Sequence, residues 1–358
     1  MSTRTRKLTF ALWTTLGVLG VLELGAHGWE ALRPLPPAVP LPGPGPVDCL
    51  PDCMPGVASM PEQPDGLPRG IPMAEHPTRG WILPPGVEMV ETGVRTRVNR
   101  LGLRGAEVPE VLRPGEVRIL TLGDSSVFGY GVEEHQVFEQ IAATVLHTFW
   151  GVPVRGFNGG TPGYTSVQAL ATLKEVGPVI QPTFVVIATI WSDLFQTDTP
   201  LTRLPGTRVP SALYRLGTRA LARWLPARKV GWVDAERGVG TPAADRKART
   251  GLEIYQRTLG EIVAESERLG AKPIFLVLPA PIDLDAAPPP ALILRYRAAM
   301  ADAAVAAGAP LIDGAARFRG GGADHGDFYD QIHPSKSGHA RLGSALAATL
   351  SAKRPGLH

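Results

Sequence analysis

Short runs of aliphatic and β-branched residues alternate with longer amphipathic stretches from residue 117 onward. The runs predict buried strands and the stretches predict helices. The predicted strands cover residues 117–122, 152–157, 184–190, 274–278 and 310–313, and the predicted helices cover residues 138–149, 166–175, 251–269, 289–307 and 337–350. This alternation predicts an α/β fold in which helices cover both faces of a parallel central sheet, within one domain spanning residues 115–352.

The N-terminal residues carry a different pattern. Arg4, Arg6 and Lys7 precede an apolar run over residues 8–24. A positive flank of this kind orients an apolar helix with its N-terminus inside and exports the chain that follows. The run has about the minimum length that spans a bilayer. An uncleaved signal anchor is favoured over a cleaved signal peptide, because no Ala-x-Ala site follows. We therefore expect residues 1–28 to form a single transmembrane helix and the rest of the chain to be periplasmic or extracellular.

Three further segments differ from the alternating pattern. Residues 29–75 are rich in proline and predict an extended linker. Cys49 and Cys53, the only cysteines, lie in this linker and form either a small local disulfide or two free thiols. Residues 76–114 predict a hairpin packed at the edge of the sheet. Residues 198–248 predict an insertion or lid beside the site, a solvent-exposed amphipathic helix, or a membrane-surface contact.

The charge of the chain is close to balance. The formal net charge is +3 over 358 residues, and the basic residues are scattered along the sequence. A nucleic-acid-binding protein carries a concentrated basic footprint, so we expect no nucleic-acid partner.

Chemistry-bearing residues lie at the two ends of the predicted domain. Gly123, Asp124 and Ser125 follow the first strand at once, which places a serine hydroxyl and free backbone N–H groups at the sheet edge. Asp330 and His333, three residues apart before the last helix, could form a carboxylate–imidazole pair. Such a pair activates a serine hydroxyl, which is otherwise a weak nucleophile. Each motif alone is also typical of an ordinary turn, but together they favour catalysis.

These motifs resemble those of the SGNH (GDSL-type) hydrolase superfamily over roughly residues 76–352. Gly123-Asp124-Ser125 matches its first block, and Asp330-x-x-His333 matches its last block. The run from Asn158 to Tyr164 resembles the second block, and the resemblance places the oxyanion-hole glycine on Gly163. In the third block, Ser192 stands where the family has an asparagine, so the third oxyanion donor would be a shorter, rotatable hydroxyl. The family fold implied is a three-layer α/β/α sandwich with a flavodoxin-like strand order.

Other residues resemble parts of the family without having a clear catalytic role. Asn99, Gly102 and Arg104 are similar to an Asn-x-x-Gly-x-Arg segment of membrane-tethered bacterial members. Arg104 could contact an acidic or acyl substrate, but a structural salt bridge is favoured. Asp193 is interpreted as a structural carboxylate behind the oxyanion loop, and His339 as a residue that faces outward or packs.

The resemblance implies a serine esterase with Ser125 as nucleophile, His333 as base and Asp330 as its orienting carboxylate. The N–H groups of Ser125 and Gly163, and the Ser192 hydroxyl, would hold the oxyanion. The expected substrate is an ester on an exported glycan, lipid or small molecule, and no metal or organic cofactor is needed. An O-acyltransferase acting on a cell-envelope polysaccharide shares the same acyl-serine intermediate and stays open. A non-catalytic carbohydrate-binding module is a weaker alternative, suggested only by Ser192.

Overall fold

The computed structural model describes residues 14–15, 17–25, 28, 71, 73–109, 111, 113–194 and 248–353. Part of the predicted anchor falls in these ranges, and residues 17–25 are helical. Within the described ranges, no helix combines the length and apolarity that a membrane crossing requires. The predicted linker lies outside the described ranges except for residues 71 and 73–75, so Cys49 and Cys53 lie outside them. The predicted insertion at residues 198–248 also lies outside them except for its last residue. The predicted boundaries of these segments stay predictions.

The secondary structure follows the predicted alternation. The strands are β1 Ala74–His76, β2 Gly80–Ile82, β3 Glu88–Glu91, β4 Val94–Arg97, β5 Val117–Gly123, β6 Val154–Gly160, β7 Phe184–Ala188, β8 Lys272–Val277 and β9 Leu311–Asp313. The helices are α1 Ser125–Phe128, α2 Phe138–Trp150, α3 Ser166–Ile180, α4 Trp191–Leu194, α5 Leu252–Arg268, α6 Ala291–Ala306, α7 Gly314–Gly320 and α8 Lys336–Ser351. Short 3-10 turns cover Glu134–Gln136, Pro281–Leu284 and His325–Asp327.

Five strands form one parallel sheet in the order β6-β5-β7-β8-β9. This confirms the predicted α/β fold with a parallel central sheet, and the order is that of the flavodoxin-like arrangement. Every residue of β5 and β7 is buried. Central strands covered on both faces are mostly apolar, and β5 departs from this only at the buried residues Arg118 and Thr121. The chain reverses its direction of travel across the sheet at β5 and β7, and ligands bind at the carboxyl ends of strands at such a switch point.

The helices pack in two groups. Helix α2 packs with α8, whereas α5 packs with both α3 and α6. The central core between them includes Phe138, Leu173, Tyr255, Tyr296 and Leu346, all fully buried. In the described part of the chain, the four-residue helices α1 and α4 directly follow β5 and β7 at their carboxyl ends.

The segment before the sheet contains two hairpins rather than the one predicted. Strand β1 pairs with β2, and β3 pairs with β4, both antiparallel. We name residues 73–109 the lead-in. An isolated bridge between Arg104 and Asn158 joins the lead-in to β6, the edge strand of the main sheet, which agrees with the predicted edge position.

The second strand of the sheet extends further than its composition suggests. The sequence predicts a loop from Asn158 onward, but β6 continues to Gly160. Asn158, Gly159 and Gly160 pair with the last three residues of β5. The close approach requires glycine, because a Cβ on Gly159 would lie 2.5 Å from the Thr121 carbonyl oxygen. These residues have a turn-forming composition but adopt a strand conformation because they pair with β5.

Candidate active site

The predicted nucleophile occupies the first turn after β5. Ser125 is the first residue of α1, and Asp124 caps that helix by accepting a hydrogen bond from the Ser126 N–H at 2.9 Å. Gly123 allows the sharp turn, since a Cβ there would lie 2.6 Å from the Ala188 carbonyl oxygen of β7. Ser125 keeps partial exposure while Asp124 and Ser126 are buried. The turn thus presents one of its two serines to solvent.

Ser125, His333 and Asp330 form a continuous hydrogen-bonded relay. The Ser125 hydroxyl oxygen lies 2.7 Å from Nε2 of His333. Nδ1 of His333 lies 2.6 Å from Oδ2 of Asp330. A carboxylate can only accept, so Nδ1 carries the proton and the Nε2 lone pair faces the serine hydroxyl. The structure therefore brings together residues separated by more than two hundred positions in the sequence, in the geometry needed to activate a serine.

The loop that carries His333 is organised by Asp330. Its Oδ1 accepts hydrogen bonds from the N–H groups of Ile332 and His333, each at 2.9 Å. Burial of Asp330 would raise its pKa, but the hydrogen bond and charge of His333 and these two N–H groups hold the pKa below its ordinary value. Asp330 is consequently a charged acceptor at neutral pH, and it orients the His333 ring through Nδ1.

Two neighbours fix the loop against the nucleophile turn. The buried hydroxyl of Ser126 donates to the Ile332 carbonyl oxygen at 3.0 Å. The Tyr130 ring stacks on the His333 ring with centroids 5.0 Å apart and planes 30° apart. Burial raises the pKa of Tyr130, so its phenol stays neutral. Ser126 therefore has a positioning role, in agreement with the choice of Ser125 as the nucleophile.

Gly163 lies in a tight loop after β6. Its φ angle is +78°, a backbone conformation that favours glycine. The Trp81 indole N–H donates to the Pro162 carbonyl oxygen at 3.2 Å, and Nη1 of Arg249 donates to the Gly163 carbonyl oxygen at 2.7 Å. Among the described residues, neither Ser125 nor Gly163 has an acceptor for its main-chain N–H. Both groups can therefore donate to a bound oxyanion.

Ser192 occupies a buried position on α4. Its N–H donates to Oδ2 of Asp124 at 3.0 Å, so one carboxylate holds both the nucleophile turn and the third block. Burial raises the pKa of Asp124, although the N–H donors of Ser126 and Ser192 oppose the shift. The Ser192 hydroxyl is buried and has no hydrogen-bond partner within the described part of the chain. A buried hydroxyl without a partner is energetically costly and needs an explanation.

Asp193, the next residue, fits its structural interpretation. Its carboxylate accepts from the N–H and the hydroxyl of Ser166 at the start of α3. Burial raises the pKa of Asp193 to about 7, partly offset by hydrogen bonds at the N-terminus of that helix. Asp193 thereby joins α4 to α3 behind the Gly163 loop.

Arg104 differs from its prediction. The favoured role was a salt bridge, but its guanidinium donates to main-chain carbonyls of Phe128, Gly129 and Val132. These carbonyls lie at and after the C-terminus of α1. Arg104 is buried and turned away from solvent. Asn99 shapes the turn before it, since its Oδ1 accepts from the N–H groups of Leu101 and Leu103. The Asn-x-x-Gly-x-Arg segment therefore supports the nucleophile helix rather than a substrate.

His339 packs rather than facing outward. It is fully buried on α8, where its ring lies 5.8 Å from the Phe138 ring with near-parallel planes. Burial lowers the pKa of His339 to about 3, which keeps the ring neutral. In the described ranges, no cluster of three or more His, Cys, Asp or Glu side chains could hold a metal ion.

Comparison with known proteins identifies the family of this chain. A family model described as GDSL-like lipase/acylhydrolase matches residues 121–341. The chain belongs to this family. It is accordingly an ester-hydrolysing enzyme of the SGNH/GDSL type. The match begins inside β5 and ends in α8, so it contains Ser125, Gly163, Ser192, Asp330 and His333.

The chain is also similar to solved structures at low sequence identity. A lipase/acylhydrolase from Enterococcus faecalis is 16% identical, with 67% of this chain and 97% of that chain covered and a TM-score of 0.45. An acetylxylan esterase from Geobacillus stearothermophilus is 18% identical, with 66% and 95% covered and a TM-score of 0.43. No curated protein matches the chain.

Three residues of the site were not predicted from the sequence of this GDSL-type enzyme. Trp81 and Arg249 each contact the Gly163 loop, and Tyr130 stacks on His333. Tyr130 lies five residues after the nucleophile, and that proximity was its only available signal. Trp81 and Arg249 are more than eighty residues from the loop they contact, and no local pattern marks them.

Proposed function

We propose that this enzyme hydrolyses esters through an acyl-serine intermediate formed on Ser125. The observation that carries the proposal is the relay from Ser125 through His333 to Asp330, with both distances below 2.8 Å. A side-chain set in this geometry is recognised by its roles rather than by its sequence positions.

The steps follow from the placement of each group. The Ser125 hydroxyl oxygen bonds to the ester carbonyl carbon while its proton passes to Nε2 of His333. The negative charge that forms on the carbonyl oxygen accepts from the N–H groups of Ser125 and Gly163, with the Ser192 hydroxyl as a third donor. The carbon–oxygen bond to the alcohol then breaks, and His333 returns its proton to the leaving alkoxide. Water then attacks the carbonyl carbon of the acyl-serine while His333 takes its proton. The bond to the Ser125 oxygen breaks, His333 returns the proton to that oxygen, and the acid is released.

The proposed substrate is an exported ester such as an acylated glycan or lipid. The support comes from the basic flank at Arg4, Arg6 and Lys7 followed by the apolar run at residues 8–24. Under this proposal the N-terminal segment tethers the enzyme to a membrane, and the catalytic domain works on the periplasmic or extracellular side. Tyr329 is partly exposed beside Tyr130, with ring centroids 5.6 Å apart, and offers an aromatic surface next to the relay.

Labelling with a fluorophosphonate probe tests the proposal, because the probe forms a stable bond only with an activated serine. We expect the label on Ser125 when the modified peptide is mapped by mass spectrometry. Ser125→Ala and His333→Ala should abolish labelling and ester turnover. Ser126→Ala is the matched control, since it removes the adjacent hydroxyl and should still be labelled. A label on Ser126, or no label on a folded wild-type protein, would refute the assignment.

A further inference from the structure

The peptide unit that joins Pro162 to Gly163 receives a hydrogen bond from the lead-in. The Pro162 carbonyl oxygen accepts from the Trp81 indole N–H at 3.2 Å. The same peptide unit carries the Gly163 N–H, the donor assigned above to the oxyanion. We propose that Trp81 is a positioning residue that polarises this peptide and so strengthens the oxyanion hole. The inference rests on the proposed function, because it needs the Gly163 N–H to face the reacting carbonyl.

The physical basis is the resonance of the peptide bond. The C–N bond has partial double-bond character, so the carbonyl oxygen and the N–H of one unit are electronically coupled. A hydrogen bond donated to the oxygen draws electron density from the nitrogen and makes its N–H a better donor. Such cooperative strengthening is roughly 10–30% per bond in condensed phase. The effect is greatest when the N–H faces a full negative charge, which happens only in the transition state.

Contacts on both sides hold the indole of Trp81 in place. The Tyr164 ring meets it edge-on at 5.7 Å between centroids, and the Arg249 guanidinium carbon lies 5.3 Å from the Trp81 ring centroid. The Tyr164 hydroxyl also donates to the Trp81 carbonyl oxygen. Arg249 donates to the carbonyl oxygen of Gly163, the residue after Pro162. Two consecutive carbonyls of the loop are therefore fixed by two separate side chains.

The conformation of the Gly163 loop allows the Trp81 indole to approach closely. A Cβ at Gly163 would lie 3.3 Å from Cζ2 of Trp81, tighter than most contacts of this kind. The glycine therefore permits the approach of the indole as well as the positive φ angle. Trp81 lies on β2, outside the family match at residues 121–341. The lead-in thus adds a residue to an oxyanion hole whose other members all belong to the matched region.

Replacing one atom of Trp81 gives the sharpest test. Substitution of Trp81 by 3-benzothienylalanine keeps the ring shape and exchanges only the N–H for sulfur. We expect kcat for a simple aryl ester to fall roughly two- to eightfold, the share that polarisation contributes to one oxyanion donor. KM should stay close to wild type. The melting temperature should fall only slightly, because the ring packing is kept and one hydrogen bond is lost. Trp81→Phe should show the same loss of kcat with an added loss of stability.

Tyr164→Phe is the matched control. It removes the hydroxyl that donates to the Trp81 carbonyl oxygen and leaves the indole N–H on Pro162. We expect a lower melting temperature with most of kcat retained. An unchanged kcat in the benzothienylalanine variant would overturn the role of Trp81. A wild type that neither turns over esters nor labels at Ser125 would instead overturn the proposed function itself.

Discussion

Ser192 is the residue whose chemistry departs most from the family pattern. Its main-chain N–H is held by Asp124, which fixes the residue beside the nucleophile turn. The residue is 1% exposed, and its hydroxyl has no hydrogen-bond partner among the described residues. Under the proposed function, this hydroxyl is available as a donor when an oxyanion forms. That role would account for a buried hydroxyl without a partner among the described residues at the position of the family asparagine.

Ser192→Ala should separate activity from stability. We expect kcat to fall by about tenfold to a few hundredfold, because one oxyanion donor is lost. The melting temperature should stay the same or rise, because removing an unpaired buried hydroxyl relieves a desolvation cost. Steady-state kinetics and thermal unfolding on the same preparation check both parts. Unchanged kcat, with labelling of Ser125 intact, would show that the hydroxyl does not face the oxyanion.

The site residues differ in how far the sequence could reveal them. Ser125, Asp330 and His333 lie in short motifs whose chemistry is readable locally, and the structure brings their side chains together. Gly163 could be placed only through the family resemblance. The predicted salt bridge of Arg104 was wrong, because its partners are main-chain carbonyls. Every residue has such a carbonyl, so the sequence does not indicate which ones bind an arginine. The charge and nucleophilicity of a side chain follow from the residue type, whereas the positions of backbone acceptors depend on the fold.

At the scale of elements, α1 is too short to be stable alone and is held from outside. Asp124 caps its N-terminus, and Arg104 binds the carbonyls at its C-terminus. Asn158 of β6 makes a third contact with α1. Its amide donates to the Val127 carbonyl oxygen and to Oε1 of Glu139 on α2, each at 2.8 Å. A nucleophile on a four-residue helix therefore depends on its own N-cap and on contacts from the lead-in and from β6.

Glu139, the partner of Asn158, makes the stability of the protein depend on pH. Burial raises its pKa from 4.5 to about 7, with Asn158 and Arg104 opposing the shift. Between these values the folded protein binds more protons at this carboxyl than the unfolded chain does. The contribution of Glu139 to the free energy of unfolding therefore falls as pH rises through that interval. Its ionised form carries the cost of a buried charge.

Glu139→Gln should remove that pH dependence while keeping an acceptor for Asn158. We expect wild type to lose about 1–3 kcal/mol of unfolding free energy relative to the variant between pH 5 and pH 8. Urea unfolding of both proteins at four pH values in this range checks the difference. Asp193, whose pKa is also raised to about 7, is common to both proteins and cancels. Parallel pH curves would contradict the assignment.

Element boundaries were harder to predict than element order. The strands of the sheet and the long helices appear in the predicted order, because apolar periodicity reports burial directly. The errors lie where long-range pairing overrides local propensity. The Asn158–Gly160 stretch has turn composition but completes β6, and α3 continues past its predicted end through Pro178. The first hairpin of the lead-in was missed, because β1 and β2 have three residues each.

At the scale of the whole molecule, the lead-in and the hydrolase core share their packing. A small hydrophobic cluster contains Met73, Leu83, Met89 and Val98 of the lead-in together with Phe128 of α1. Trp81 and Arg104 reach from the lead-in to the Gly163 loop and to the end of α1. The region matched by the family begins only at residue 121. The functional unit therefore starts before the family match does.

Two truncations test this dependence. A chain that begins at residue 71 keeps the lead-in and should retain the kcat and fluorophosphonate labelling of the full-length protein. A chain that begins at residue 113 keeps the whole family match but exposes Phe128 and leaves its carbonyl and that of Gly129 without Arg104. We expect this chain to lose most of its kcat or to unfold, because α1 loses the side chain that binds its C-terminal carbonyls and Phe128 loses its apolar cover.

Arg104→Met within the full chain resolves the ambiguity of an unfolded truncation. The substitution keeps an unbranched apolar stem but removes the guanidinium that donates to three carbonyls at the end of α1 and lies over the Phe128 ring. We expect a clear drop in melting temperature together with slower labelling of Ser125, because the helix that presents the hydroxyl loses its C-terminal support. Circular dichroism separates this from global unfolding. Full activity in the chain beginning at residue 113, or normal labelling in a folded Arg104→Met protein, would show that the core positions Ser125 unaided.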